Sequence, residues 1–270
     1  METYPDKHTL SASSEEGCGP QDEYYGVIRV VTTGFGHPLS NPPNPSFQIS
    51  QALPSTLTIY RDQNPQIVVL ERHPDGVPGS YEYVVQFTPK LYDQYAGGLS
   101  SSTASPFFIH MGSGHPGRYE LERLAHRDGY AYLDGDQKPP PLQNTELPVG
   151  SRTSIWKLRK GKRSADARGY PFLDSAETLH TGIDVQGVVD DVRRDMKDLT
   201  MPIVLSNDAG RFLCDFVYYS SLREAAARFG DEGLRKVLFV HVPPDGTLEE
   251  GVRVLEAIIK SIVIRGTSFQ

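Results

Sequence analysis

The sequence predicts an α/β fold, a single-domain three-layer sandwich with a mostly parallel twisted sheet and helices on both faces. Short apolar runs such as Val237-Leu238-Phe239-Val240 read as buried strands, and they alternate with stretches of helical period. At 270 residues and 38% hydrophobic content, the chain can bury one sizeable core.

Residues 1–24 are rich in Ser, Glu and Gly and poor in large apolar groups, so they read as a flexible N-terminal tail ahead of a domain spanning 25–270. Gly26 to Thr32 reads as the first strand, left by the loop Thr33 to Leu39. Asn44-Pro45-Ser46 opens a helix, with Asn44 as cap and Pro45 at the first position, where a missing N–H costs nothing; Pro54 closes it. Gln66 to Leu70 is the next strand, and a helix from near Ser80 is expected to end before Pro89. Pro106 to Met111 is a third strand, running into Gly112-Ser113-Gly114-His115-Pro116-Gly117. From about 131 to 179 the chain is polar, contains Pro139-Pro140-Pro141 and keeps no period, so it reads as an insertion running over the surface. Val185, Val188, Val189, Val192 and Met196 then repeat at helical spacing. That helix feeds the strand Pro202 to Leu205. Lys236 to Val242 is the last strand, and Thr247-Leu248-Glu249-Glu250 is a capping box for a final helix with Val252, Leu255, Ile259 and Ile262 inward.

A formal charge of −7 gives no general attraction for nucleic acid or anionic membrane, and the one basic run, Lys157 to Arg163, reads as a solvated loop. Two cysteines far apart, Cys18 and Cys214, make no disulfide framework. The first residues lack the basic and apolar regions of a signal peptide, so a reducing compartment, the cytoplasm, is expected.

The chemistry gathers on Ser206 to Asp215. An apolar strand turns through Ser206, Asn207, Asp208 and Gly210 into a helix, placing Cys214 in the first turns, where free N–H groups and the dipole favour an anion. Read locally, Cys214 fits a small buried hydrophobe beside Phe212 and Leu213 better than a nucleophile. In open α/β sheets ligands bind beyond the carboxyl ends of the strands. The loops after Gly34, Gly112, Ser206 and His241 are therefore expected along one edge, with His241 as acid–base partner of Cys214. By chemistry, Glu120, Glu122, Asp128, Asp208 and Asp215 all qualify to orient that imidazole, and spacing does not choose among them. Gly112 to Gly117 also matches G-x-G-x-x-G, but Pro116 stiffens the turn and Arg118 to Gly129 is too short and polar for a phosphate-binding helix. His110, His115, Cys214 and His241 include no short-spaced ligand pair, so no metal is assigned.

Thr33-Gly34-Phe35-Gly36 with Asn44-Pro45-Ser46, Gly117-Arg118 with Glu122-Arg123, Asp208 to Cys214, and Phe239 to Pro243 occur in this order. Together they resemble the cysteine pyroglutamyl peptidases, in a longer, divergent, fungal-like branch. The resemblance implies removal of an N-terminal pyroglutamyl residue from a small peptide or amide substrate, without cofactor or metal, by a homo-oligomer. It implies Cys214 as nucleophile, His241 as general base and acid, and Glu122 as the group orienting His241. It also places Phe35, Leu39 and Gly112 at the substrate, with Phe35 packing on the lactam ring. Where the family continues its first loop as Pro-Phe, this chain has His37-Pro38-Leu39, and Asp215 stands where Asn commonly follows the nucleophile. Those departures keep open an amidase or acyl-transfer enzyme acting on another small lactam or amide, or a non-catalytic binding protein.

Overall fold

The computed structural model describes residues 27–36, 43–61, 64–96, 105–130, 132–141, 172 and 175–266. The expected tail, Cys18, Leu39, the basic run and most of the 131–179 insertion lie outside them. The order is β1 (Ile28–Gly34), α1 (Pro45–Ala52), β2 (Thr56–Arg61), β3 (Asn64–Arg72), α2 (Tyr81–Ala96), β4 (Phe107–Ser113), β5 (Tyr119–Glu122), β6 (Leu124–His126), β7 (Thr178–His180), α3 (Val185–Asp195), β8 (Ile203–Ser206), α4 (Leu213–Leu234), β9 (Val237–Val242) and α5 (Leu248–Gly266). The main sheet runs β2-β3-β1-β4-β9-β5-β8, and β6 pairs with β7 apart from it. Neighbours β3, β1, β4 and β9 are parallel; β2 is antiparallel to β3, and β5 to β9. The sheet is thus mixed but mostly parallel, as predicted.

Local signals account for several elements. Asn44 Oδ1 accepts from the Ser46 amide at 3.0 Å with Pro45 at the first helical position. Asp184 Oδ1 accepts from the Gly187 amide at 3.0 Å and starts α3. Half of the expected capping box forms on α5. Thr247 Oγ1 accepts from the Glu250 amide at 3.2 Å, while Glu250 turns away to accept from the Thr200 amide and hydroxyl at 3.0 and 2.7 Å.

Three expectations are corrected. First, α2 runs through Pro89 to Ala96, burying Leu91, Tyr92, Tyr95 and Ala96. A proline inside a helix costs about 3 kcal/mol, and burying one large apolar side chain returns roughly 1.5–3 kcal/mol, so these side chains outweigh it. Second, β2, β5, β6 and β7 are strands with no counterpart in the sequence reading. Third, β8 is parallel to β5 and so runs against β9. Its loop therefore leaves at the opposite end from those of β1, β4 and β9.

The sheet separates two apolar cores. Val188, Val192, Leu255, Ile258 and Ile259 from α3 and α5 belong to one, and Tyr81, Tyr92, Phe216 and Tyr219 from α2 and α4 to the other. The described ends of the insertion lie against α4: Tyr132 stacks edge-on to Phe212 at 5.7 Å, and Phe172 meets Phe216 and Tyr219 at 5.3 and 5.2 Å. Among the described residues, no helix is long and apolar enough to cross a membrane.

Candidate active site

The turn after β8 is built by its own polar side chains. Ser206 Oγ accepts from the Asp208 amide at 3.2 Å, and Asp208 Oδ1 from the Gly210 amide at 3.1 Å. Gly210 (φ 92°) and Arg211 (φ 49°) both take left-handed backbone, which costs glycine little and arginine more. Arg211 Nη1 donates to the Asp128 carbonyl at 3.1 Å, and its Nε lies 3.7 Å from Asp215 Oδ2. These groups shape the turn and leave the helix uncapped: the cap position of α4 is Phe212, with no side-chain hydrogen bond to the first turn. Amides at that end are not claimed by a capping side chain, and the positive end of the dipole falls at Cys214, the second helical residue.

Cys214 is half-buried on the face of the sheet. A β-carbon at Gly112 would lie 2.8 Å from Cys214 Sγ and 3.0 Å from Phe239 Cζ, so only glycine leaves room for the sulfur there. Gly112 on β4 pairs with His241 on β9. His241 is 7% exposed, with the Phe239 ring 4.9 Å from its imidazole. Its Nδ1 donates to Glu122 Oε1 at 2.8 Å, and Cys214 Sγ lies over Gly112, the residue paired with His241. With Nδ1 committed to Glu122, Nε2 is left for the sulfur.

Glu122 ends β5 and is fully buried. The antiparallel register sets Glu120 opposite His241 and Glu122 opposite Phe239, so Glu122 reaches the imidazole along the diagonal of the ladder. Tyr218 donates its hydroxyl to the Glu122 carbonyl at 2.8 Å. Burial alone works to lower the His241 pKa. The hydrogen bonds with Cys214 and Glu122, and their charges, overcome it and raise the pKa from 6.5 to about 10. The imidazole is therefore held as a cation at neutral pH, beside the sulfur.

The other carboxylates are engaged elsewhere. Glu120 accepts from His115 Nδ1 at 2.7 Å and Arg118 Nε at 3.0 Å; Asp128 pairs with Arg127 Nη2 at 3.1 Å; Asp208 holds the turn. Asp215, fully buried, accepts from the His126 amide at 3.0 Å and from His126 Nδ1 at 3.2 Å. Burial pushes the Asp215 carboxyl up, and His126 and Arg211 oppose it.

Phe35 belongs to the same apolar cluster as Leu213 and Val77, and its amide donates to Ser46 Oγ at 3.0 Å. Its ring is mostly buried there. His110 and His115 do not converge with Cys214 and His241 on a common site. His110 bridges Thr33 Oγ1 and Ser221 Oγ at 2.8 and 2.7 Å, and burial drives its pKa down to about 3, whereas His115 rests on Glu120. Among the described residues, no group of His, Cys, Asp and Glu is arranged to hold a metal. The G-x-G-x-x-G stretch runs into β5, not a helix. Sequence reasoning passed over Tyr218 and His126. Tyr218 sits four residues after Cys214, on the same helical face, and was open to discovery. His126 has no such signal, because its approach to α4 depends on the path of β6.

No protein-family model matches the chain. The chain is 27% identical over 198 residues to pyroglutamyl-peptidase 1 of Mus musculus, and equally to that of Homo sapiens, covering 72% of this chain and 74% of each relative. Its fold is that of the pyrrolidone carboxyl peptidase from Thermococcus litoralis (TM-score 0.63, 17% identity, 90% of this chain and 97% of that one). The Pyrococcus furiosus enzyme superposes with a TM-score of 0.60 at 16% identity, over 88% of this chain and 99% of that one. The resemblance read from the sequence motifs is borne out by these relatives.

Proposed function

We propose that this chain is a cysteine omega-peptidase that hydrolyses the amide bond after an N-terminal pyroglutamyl residue, through Cys214, His241 and Glu122. The observation that carries the reading is His241 Nδ1 bonded to Glu122 Oε1 at 2.8 Å on the strand position paired with Gly112, whose missing β-carbon makes room for Cys214 Sγ. The similarity to pyroglutamyl-peptidase 1 supplies the substrate class.

Each group has one task. The Cys214 sulfur, as thiolate, attacks the carbonyl carbon and its electron pair forms the new C–S bond. The oxyanion is met by amides at the uncapped start of α4. His241 gives its proton to the departing amine as the C–N bond breaks, leaving a pyroglutamyl thioester. Water, deprotonated by the now neutral His241, attacks that thioester and expels the thiolate. Proton transfer of this kind contributes roughly 10²–10⁴-fold. Glu122 fixes Nδ1–H and thereby turns Nε2 to the sulfur, as the buried carboxylate does in other triads. Gly112 leaves space for the sulfur, and Phe35 offers an apolar wall to the ring.

A fluorogenic pyroglutamyl amide tests the reading. Wild type should release the amine, Cys214→Ala should lose at least about 10³-fold in kcat/KM, and stoichiometric alkylation of Cys214 should abolish release. Equal turnover by wild type and Cys214→Ala overturns it.

A further inference from the structure

Asp215 is a buried carboxylate one residue beyond the proposed nucleophile, a costly place for a negative charge unless its hydrogen bonds have a use. Its partners show the use. Oδ1 accepts from the His126 amide at 3.0 Å and Oδ2 from His126 Nδ1 at 3.2 Å, with Arg211 Nε 3.7 Å away. His126 lies four residues after Glu122, and one turn further along α4 Tyr218 donates to the Glu122 carbonyl at 2.8 Å. The helix that carries Cys214 is thus fastened at two successive places to the segment that starts with Glu122.

We propose that Asp215 and His126 form a positioning pair that holds Cys214 in register with Glu122, so that His241 reaches both. The pair rests on the reading of Cys214 as the nucleophile, and Asp215 touches no reacting atom. Without it, of the two side-chain hydrogen-bond ties described between α4 and 122–126, that of Tyr218 is left, and a rotation of the first turn carries the sulfur away from Nε2. A displacement near 1 Å of a reacting group costs on the order of 10²-fold in rate.

The experiment measures kcat and KM on a pyroglutamyl amide, and the iodoacetamide alkylation rate at Cys214 read from its own peptide, since the chain also carries Cys18. The chains compared are wild type, Asp215→Ala, Asp215→Asn, His126→Ala and the double alanine variant. Asp215→Ala should lose about 10²-fold in kcat with KM changed less than about 3-fold, and alkylation should slow in parallel. Asp215→Asn, whose amide oxygen still accepts from the His126 amide, should recover to within about 10-fold of wild type. His126→Ala should fall between, and the double variant should be no worse than Asp215→Ala, because the two residues act as one. The proposal is overturned by wild-type kcat in Asp215→Ala, by Asn as damaging as Ala, by a loss carried in KM, or by additive losses. Should Asp215→Ala fail to fold, His126→Ala decides alone: unchanged kcat and alkylation overturn the pair. Should wild type not turn over the pyroglutamyl amide at all, the functional reading falls, and the alkylation series still decides the pair.

Discussion

His241 is a histidine whose burial and whose partners pull in opposite directions, and the partners win. Its pKa, raised to about 10 by Cys214 and Glu122 against desolvation, makes the imidazole a cation through the neutral range. A pKa raised in the folded state gives stability that is fully present below 6.5 and lost as pH rises through about 10. In Cys214→Ala the larger of the two raising contacts is gone while burial remains. The carbon-bound proton of the His241 ring, followed by NMR, should titrate far above 6.5 in wild type and clearly lower in Cys214→Ala; identical midpoints would disprove the coupling. How far this site was legible differs by residue. Cys214 and His241 stand out in the sequence because each is a reactive group where an apolar strand meets a turn. Glu122 does not, because Glu120 has the same parity on the same strand, and only the diagonal of the antiparallel ladder separates them. His126 was illegible for a similar reason, its partner being 89 residues away along the chain.

Helices α1 and α5 were legible because a cap and its first turn lie within four residues of each other, and α3 because its apolar residues repeat at helical spacing. Elements decided by distant contacts were not. Pro89 reads as a stop until Tyr92 is seen stacked on Phe108 at 4.0 Å and bonded to Ser221 Oγ at 2.9 Å. Likewise the four residues of β5 become a strand only between β9 and β8. Helices α3 and α5 are joined by Asp191, whose Oδ2 accepts from Arg265 Nε and Ser261 Oγ, each at 2.7 Å, while Oδ1 takes Arg194 Nη1 at 2.7 Å. The Arg265 bond, first among these contacts, holds the Asp191 carboxyl below its usual 3.8. A lowered carboxylate pKa gives stability that is present above the unfolded value and lost as pH falls through the folded one. Asp191→Asn should therefore cost about 1 kcal/mol at pH 7, as a partly exposed ion network does. The gap to wild type should begin to shrink below about pH 4 in urea unfolding and go on shrinking as pH falls further, and a gap unchanged between pH 7 and pH 2 would place the effect in packing instead.

The whole molecule divides its labour across the sheet. The fold class was legible because alternation of apolar strands and amphipathic helices is a property of the entire chain, insensitive to a missed strand or a misplaced helix end. The direction of β8 was not, because parallel and antiparallel neighbours bury the same residues on the same faces. That direction matters: the β8 loop leaves from the opposite end, and α4 sets Cys214 on the face it shares with α2, beside Gly112 and His241 near the carboxyl ends of β4 and β9. The proposed chemistry thus depends on one core, and the other supports the sheet from behind. Ile258 on α5 is fully buried in the far core, and Phe216 on α4 is fully buried two residues beyond Cys214. Ile258→Ala should lower stability by about 2–5 kcal/mol, and Phe216→Ala by about 3–5 kcal/mol. Only Phe216→Ala should also lower kcat, by about 10-fold or more, because the space it opens lies under the first turn of α4 and lets the nucleophile drift. Denaturant unfolding gives the first comparison and turnover of the fraction still folded gives the second. If Ile258→Ala lowers kcat as much as Phe216→Ala does, the two cores are mechanically one, and the separation argued here fails.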